Sequence, residues 1–162
     1  MADITTRLAD ATIDLDSLVG LARDSACEQG MSEIFDEAHT RAHLTELLTK
    51  GIGFVACIDE VVIGTILLTP IETGFAILRH VESAHLMMDP RKRTMPAVRA
   101  LIRTVRKYCT EHDIVALIHM VGYGAAIAGR KDDARRVDAL YTMLIGDGTY
   151  GITYVIRPDP KK

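Results

Sequence analysis

Leu86–Ile102 reads LMMDPRKRTMPAVRALI: an apolar strand runs into Asp89-Pro90, crosses a basic turn and continues as an amphipathic helix. A strand that hands over directly to a helix leaves the first backbone N–H groups of that helix unpaired. It also aims the positive end of the helix dipole at the turn, an arrangement suited to an anion such as a pyrophosphate. The turn itself, Arg93, Thr94, Met95, Pro96, Ala97 and Val98, contains no glycine, the residue that lets a backbone approach a phosphate at least steric cost. Pro96 is compatible with the first turn of a helix, where its missing N–H would have no intrahelical partner, yet it removes one donor. Thr94 can offer its hydroxyl to the helix end or to a ligand oxygen. Arg91, Lys92 and Arg93 add charge that can hold phosphate; the plainer alternative is a solvated basic surface. Arg99, Arg103, Arg106 and Lys107 continue the basic face of the helix, with Arg99 near enough to the turn to meet a phosphate.

Outward from this stretch the chain punctuates itself. Ile4–Ala9 alternates as a first strand, and Leu15, Leu18, Val19, Leu21 and Ala22 form a helical stripe behind Asp14, with Asp16 in the first turn. Asp36 is placed to cap a second helix that runs through Leu48, with Gly51 where a left-handed C-terminal residue is expected. Gly53–Ile58 and Val61–Thr69 are β-branched runs joined at Asp59-Glu60, a hairpin, and Pro70 ends the second arm. Ala76–Met88 reads as a strand, Met95–Cys109 as a helix with Val98, Leu101, Ile102, Val105 and Cys109 on one face, and Ile114–Val121 as an apolar strand. Asp132–Leu144 is a fourth helix and Thr149–Ile156 a last strand. The order β, α, α, β, β, β, α, β, α, β implies a mixed sheet with helices on its faces.

The chain has 162 residues, 48% of them hydrophobic and 25% charged, the profile of one domain with enough chain to bury a core. A net charge of −3 argues against broad nucleic-acid binding and leaves phosphate recognition as a local matter. Cys27, Cys57 and Cys109 lack paired spacing, so neither a disulfide framework nor a zinc site is indicated and a reducing compartment is expected. No signal-like segment or bilayer-length apolar run appears, which makes the cytosol the expected location and a membrane partner unexpected. His39 and His43 are spaced i, i+4, but no third ligand completes a metal site. Gly122-Tyr123-Gly124 follows a strand without the full dinucleotide fingerprint.

Four landmarks, ITTRLADATIDLDSLVGLA, GFVACIDEVVIGTILL, HLMMDPRKRTMPAVRALI and DALYTMLIG, resemble in order and spacing the GNAT superfamily of N-acetyltransferases, over nearly the whole chain. The resemblance implies an α/β (α+β) GNAT fold, a mixed and mostly antiparallel central sheet with helices on both faces, in one domain over residues 1–162. It implies acetyl-CoA as acyl donor, bound by Met87 and Met88 of the strand and by Arg93, Thr94, Met95, Pro96, Ala97, Val98 and Arg99 of the turn. In the family's phosphate signature Arg93 takes the first position, Leu101-Ile102 supplies the apolar pair, and Pro96 and Val98 stand where glycine-type residues belong.

Acetyl transfer to an amine requires a base, an oxyanion contact and an acid for the leaving thiolate. By the same resemblance Glu82 is the base, Tyr141 of DALYTMLIG the acid, and the Met88 backbone N–H, next to an expected bulge, the oxyanion contact. The residues themselves place Glu82 on one strand face with Ala84, Leu86 and Met88. There it is either a buried carboxylate with a raised pKa or an exposed strand-end residue. His80 shares that face and could replace or assist it; His85 points to the other side. A tyrosine beside Leu140 and Leu144 is otherwise an ordinary core or boundary residue. The reading is N-acetyl transfer by direct attack of an amine, small or protein-borne. The alternative is a repurposed binding or assembly module that no longer uses CoA, and a GNAT-fold enzyme acting on nucleic acid or another macromolecule ranks third. Homodimer pairing is open to the apolar C-terminal strands.

Overall fold

The computed structural model describes residues 3–71, 79–92, 95–119 and 153–156. Strand β1 (Ile4–Leu8) leads to helix α1 (Leu15–Glu28), a single 3₁₀ turn at Ser32–Ile34 and helix α2 (Glu37–Lys50). Strands β2 (Ile52–Ile58), β3 (Val61–Ile71) and β4 (Arg79–Met88) follow, then helix α3 (Met95–His112) and strands β5 (Ile114–His119) and β6 (Thr153–Ile156). The strands form one sheet in sequence order, antiparallel throughout except for the parallel β4/β5 pair. This is the mixed, mostly antiparallel α/β sheet expected from the sequence.

The two faces of the sheet carry different helices. α3 lays Ala97, Val98, Leu101, Ile102, Val105 and Cys109 on one face, against Phe54, Ile66, Leu86 and Ile118 among others. α1 and α2 cover the other with Leu18, Val19, Leu21, Leu44 and Leu47, against Val55, Cys57, Leu67 and Met87. The helical stripes read from the sequence are the stripes that are buried, because only those faces remove enough apolar area from water to offset the ordering of the chain.

Asp36 caps α2 as expected, its carboxylate accepting the His39 N–H at 2.9 Å. Asp14 does otherwise. Only 1% exposed, it spends its carboxylate on both Arg7 guanidinium NH groups (2.6 and 2.7 Å) and on the Asp10 N–H (2.8 Å), tying the end of β1 to the start of α1. Burial alone would raise the Asp14 pKa, but the Arg7 and Asp10 hydrogen bonds outweigh it and hold the carboxyl below its usual range.

Three local expectations are corrected. Gly51 ends α2 in extended backbone (φ −117°) rather than a left-handed turn; glycine is needed there because a Cβ would run into the carbonyl oxygens of Leu68 and Leu47. Pro70 lies inside β3, paired with Val81, rather than ending it. β2 pairs no further along β3 than Leu68, so the missing N–H of Pro70 costs no ladder bond on that side. α3 continues past Cys109 to His112. The Asp59-Glu60 hairpin is present, with both residues at positive φ (48° and 65°) as a two-residue turn requires. The expected helix Asp132–Leu144 and the start of the last strand lie outside the described residues.

Candidate functional site

The site is organised by a register shift in β4. Leu67 pairs with His85 but Leu68 pairs with Ser83, so Ala84 is an extra residue, a bulge at the middle of the strand. On the opposite edge β4 pairs with β5 only from Arg79 to Glu82, against Ile114 to Leu117. Beyond that point β5 pairs with β6 at Ile118 and His119. Among the described residues no strand covers the β5-side edge of Ser83–Met88. Glu82 therefore occupies the last paired position before two parallel strands part, and the bulge bends β4 at the same place.

The exposed edge carries oriented backbone groups. The Asp89 N–H donates to the Ile63 carbonyl at 2.8 Å, toward β3, so by the two-residue alternation of a strand the N–H groups of Leu86 and Met88 point away from β3, into the gap. The Met88 side chain packs against α3 and that of Met87 against α1 and α2; only their main chain borders the gap. The expected bulge is present, but four residues before Met88 rather than beside it. It also interrupts the face on which Glu82, Ala84, Leu86 and Met88 were placed together: Val81, Leu86 and Met88 are buried in one cluster, odd and even positions joined by the extra residue.

At the end of this edge the chain turns sharply. Lys92 N–H donates to the Asp89 carbonyl at 3.0 Å around Pro90, and the Asp89 carboxylate accepts the Arg91 N–H at 2.9 Å, a turn for which Asp-Pro is the sequence signal. Arg91 closes back on Asp89 through Nε at 3.1 Å and lies 4.0 Å from Asp24 of α1. Burial pushes the Asp89 pKa up, and the Arg91 contacts reverse it, so the carboxyl sits below its usual range. Arg91 thus holds the turn to α1 and is not one of the freely available cations expected there.

The turn delivers α3, whose helix begins at Met95 with Pro96 exposed and Ala97 and Val98 buried, 0% and 7% exposed. Val98 stands where a glycine-type residue was expected, yet its branched side chain is directed into the core. Its bulk does not cover the helix end, and the departure from a glycine-type pattern reduces to Pro96. One turn further on, the Arg99 Nε is buried without a hydrogen-bond partner among the described residues, a donor whose desolvation is uncompensated unless an acceptor arrives. An anion with several oxygens fits this helix end and this donor.

Arg93, Thr94 and Tyr141 lie outside the described residues, and for Glu82, His80 and Met95 only the backbone position is described. The histidine set aside from the sequence makes a contact of its own: His85 Nε2 lies 3.2 Å from His43 Nε2 of α2. No sequence spacing connects positions 43 and 85; only the packing of α2 on the sheet brings them together. Among the described residues no group of three His, Cys, Asp or Glu is placed to hold a metal, and no helix is long and apolar enough to cross a membrane. The three cysteines are free thiols, Cys27 exposed and Cys57 and Cys109 buried.

No protein-family model matches the chain, and no curated protein sequence matches it. Solved structures do. A probable acetyltransferase superimposes with a TM-score of 0.68 at 16% identity, over 92% of this chain and 91% of that one. A GNAT-family N-acetyltransferase from Escherichia coli in complex with CoA gives 0.64 at 18% identity, over 97% and 82%. A predicted acetyltransferase from Clostridium acetobutylicum with acetyl-CoA gives 0.62 at 14% identity, over 80% and 88%. With the sheet order, the parting of β4 from β5 and these likenesses together, the chain has the GNAT fold.

Proposed function

We propose that this protein is an acetyl-CoA-dependent N-acetyltransferase that passes an acetyl group directly to an amine. The observation that carries the reading is the edge of β4, Ser83–Met88, that no strand covers among the described residues; it leads to a helix N-terminus with the Arg99 Nε, without a partner among those residues, one turn beyond. Two of the structural neighbours, described with CoA and with acetyl-CoA, support it. In this reading the first turn of α3, with Arg93, Thr94 and Arg99, holds the pyrophosphate of the donor. The main chain of Met87 and Met88 lines the acyl arm in the gap. Acetyl-CoA supplies an activated thioester; the Met88 N–H receives the oxyanion charge, Glu82 takes an amine proton and Tyr141 protonates the departing sulfur. The acceptor is an amine, small or protein-borne. The protein works in the cytosol, with pairing of its C-terminal strands into a homodimer as part of the same proposal.

Isothermal titration with acetyl-CoA is the decisive experiment. Binding at micromolar to millimolar concentration is expected, and no heat at millimolar ligand sinks the reading. Pro96, which withholds one N–H from the helix end, favours the second reading, a GNAT-fold binding or assembly module without CoA; an absence of binding that persists in Pro96→Gly establishes it. Given binding, Tyr141→Phe lowers turnover with little change in CoA affinity, and Glu82→Gln flattens the acid limb of rate against pH.

A further inference from the structure

We propose that His43 of α2 and His85 of β4 form a binding site for a divalent transition-metal ion that fastens α2 to the sheet. The two residues are 42 positions apart in the chain, and their Nε2 atoms lie 3.2 Å apart. Two imidazole nitrogens that share one tetrahedral zinc, each at about 2.0–2.1 Å, stand about 3.3–3.4 Å from one another. The pair thus already has the spacing of two ligands of one ion, and a modest rotation of the exposed His43 ring aims both lone pairs at it. The rings meet edge to face, centroids 5.4 Å apart, so neither lies over the nitrogen of the other.

Both nitrogens come from well-supported positions. His85 is half-buried on β4, one residue past the bulge and two before Met87, which is buried in one cluster with Leu44 and Leu47 of α2. His43 directly precedes Leu44 and is itself exposed. A paired strand and a helix are rigid supports, so a ligand pair held on them loses little freedom when an ion arrives. The open side of His43 leaves the remaining positions of the ion to water. Without an ion, one Nε2 donates its hydrogen to the other. Ligation moves that hydrogen to Nδ1 of the same ring, and both rings stay neutral.

The donor set selects the ion. Neutral imidazole suits zinc, copper and nickel, whereas magnesium and calcium require oxygen ligands. Glu46, three residues past His43, is engaged by Lys50 at 2.6 Å, and on β3 the residue opposite His85 is Leu67. His39, one turn before His43, is exposed, and among the described residues no third His, Cys, Asp or Glu is placed with the pair. The site is therefore a bridge of two protein ligands, and its consequence is mechanical. α2, whose buried side chains are Leu44 and Leu47, gains a further anchor on the sheet.

The test titrates the full chain with zinc sulfate alone, by calorimetry at pH 7.5, above the ordinary imidazole pKa of about 6.5. No acetyl-CoA enters it, so its outcome is independent of the acetyltransferase reading. One saturable zinc per chain is expected, with no response to magnesium. His43→Gln and His85→Gln should each weaken zinc binding at least about tenfold, since even the outer-shell partners of a metal ligand are worth about 10–100-fold, and His39→Gln should keep the wild-type affinity. Urea midpoints without metal establish that each variant is folded, and His43→Gln, at an exposed position, carries the test should His85→Gln fail to fold. With zinc, amide hydrogen exchange across α2 slows in the wild type and not in His43→Gln. A wild-type chain without saturable zinc binding, or a folded His43→Gln or His85→Gln chain that binds as the wild type does, overturns the proposal. A loss in His39→Gln with none in His85→Gln also overturns it, because the ion then sits on the surface of α2 alone. Zinc binding that leaves α2 exchange unchanged overturns the fastening.

Discussion

Asp14, which precedes the apolar stripe of α1, has a tertiary duty and makes no side-chain capping bond. Its side chain is almost fully buried and charge-paired to Arg7, so truncation leaves a cation and the Asp10 N–H without their acceptor. Asp14→Ala is expected to destabilise the fold by about 2 kcal/mol, read as a lower urea midpoint at pH 7. Glu60 behaves in the opposite way. It holds φ at 65° in a turn that favours glycine, and L-residues in that region carry a cost of about 1 kcal/mol. Glu60→Gly should therefore raise the urea midpoint by about that amount, while the hairpin register is retained. The turn was legible because Asp59-Glu60 separates two β-branched runs. The ion pair was not, since nothing in the spacing of Arg7 and Asp14 announces that a strand end and a helix start will bury the carboxylate between them.

At the scale of elements, the start of α3 combines two demands on consecutive residues. Ala97 and Val98 serve the core while Pro96 faces outward, so their substitutions should separate cleanly. Val98→Gly opens a cavity and costs about 2 kcal/mol or more of stability in chemical denaturation, without improving CoA affinity. Pro96→Ala restores a first-turn N–H and is expected to tighten acetyl-CoA about fivefold by calorimetry, the value of one added hydrogen bond near 1 kcal/mol. Arg99→Met weakens the same binding about tenfold, since a charge-assisted donor is lost. The anion-binding setting of this turn was legible from Asp89-Pro90 and the following amphipathic helix. The core-facing side chain of Val98 was legible as well, since it shares the helix face of Leu101, Ile102, Val105 and Cys109; the buried Arg99 Nε without a partner among the described residues was not.

For the whole molecule, pH couples the parts. His85 has a lowered pKa in the folded protein, burial being the main cause. The unfolded chain therefore binds that proton more readily, and stability falls as pH drops below about 6.5, the ordinary imidazole value. Asp14 and Asp89 have lowered folded pKa values, so their stabilisation is present above about pH 4 and is lost as pH falls through their folded values. Urea unfolding at pH 7, 5 and 2.5 should show two successive losses, the first from His85 and the second from the two aspartates, and His85→Phe should remove the first. Saturating acetyl-CoA at about 100 times Kd should stabilise the fold by about 2.7 kcal/mol, a rise in Tm of roughly 5–10 °C for a chain of this size.

The order of elements as far as β5, the amphipathic faces of α1 and α3, the cap of α2, the hairpin at Asp59-Glu60 and the basic strand-to-helix turn were determined by the sequence itself. These are carried by periods of two and 3.6 residues, by turn chemistry and by caps, all of which act within a few positions. The bulge at Ala84, the parting of β4 from β5 after Glu82, the approach of Arg91 to Asp24 of α1 and the meeting of His43 with His85 were decided by the tertiary structure alone. A bulge is a mismatch between two strands, a parting is a choice of partner, and a contact across 42 positions depends on how a helix lies on a sheet. None of these has a local period to betray it. In this protein they shape the gap, the edge that lines it and the histidine pair beside it.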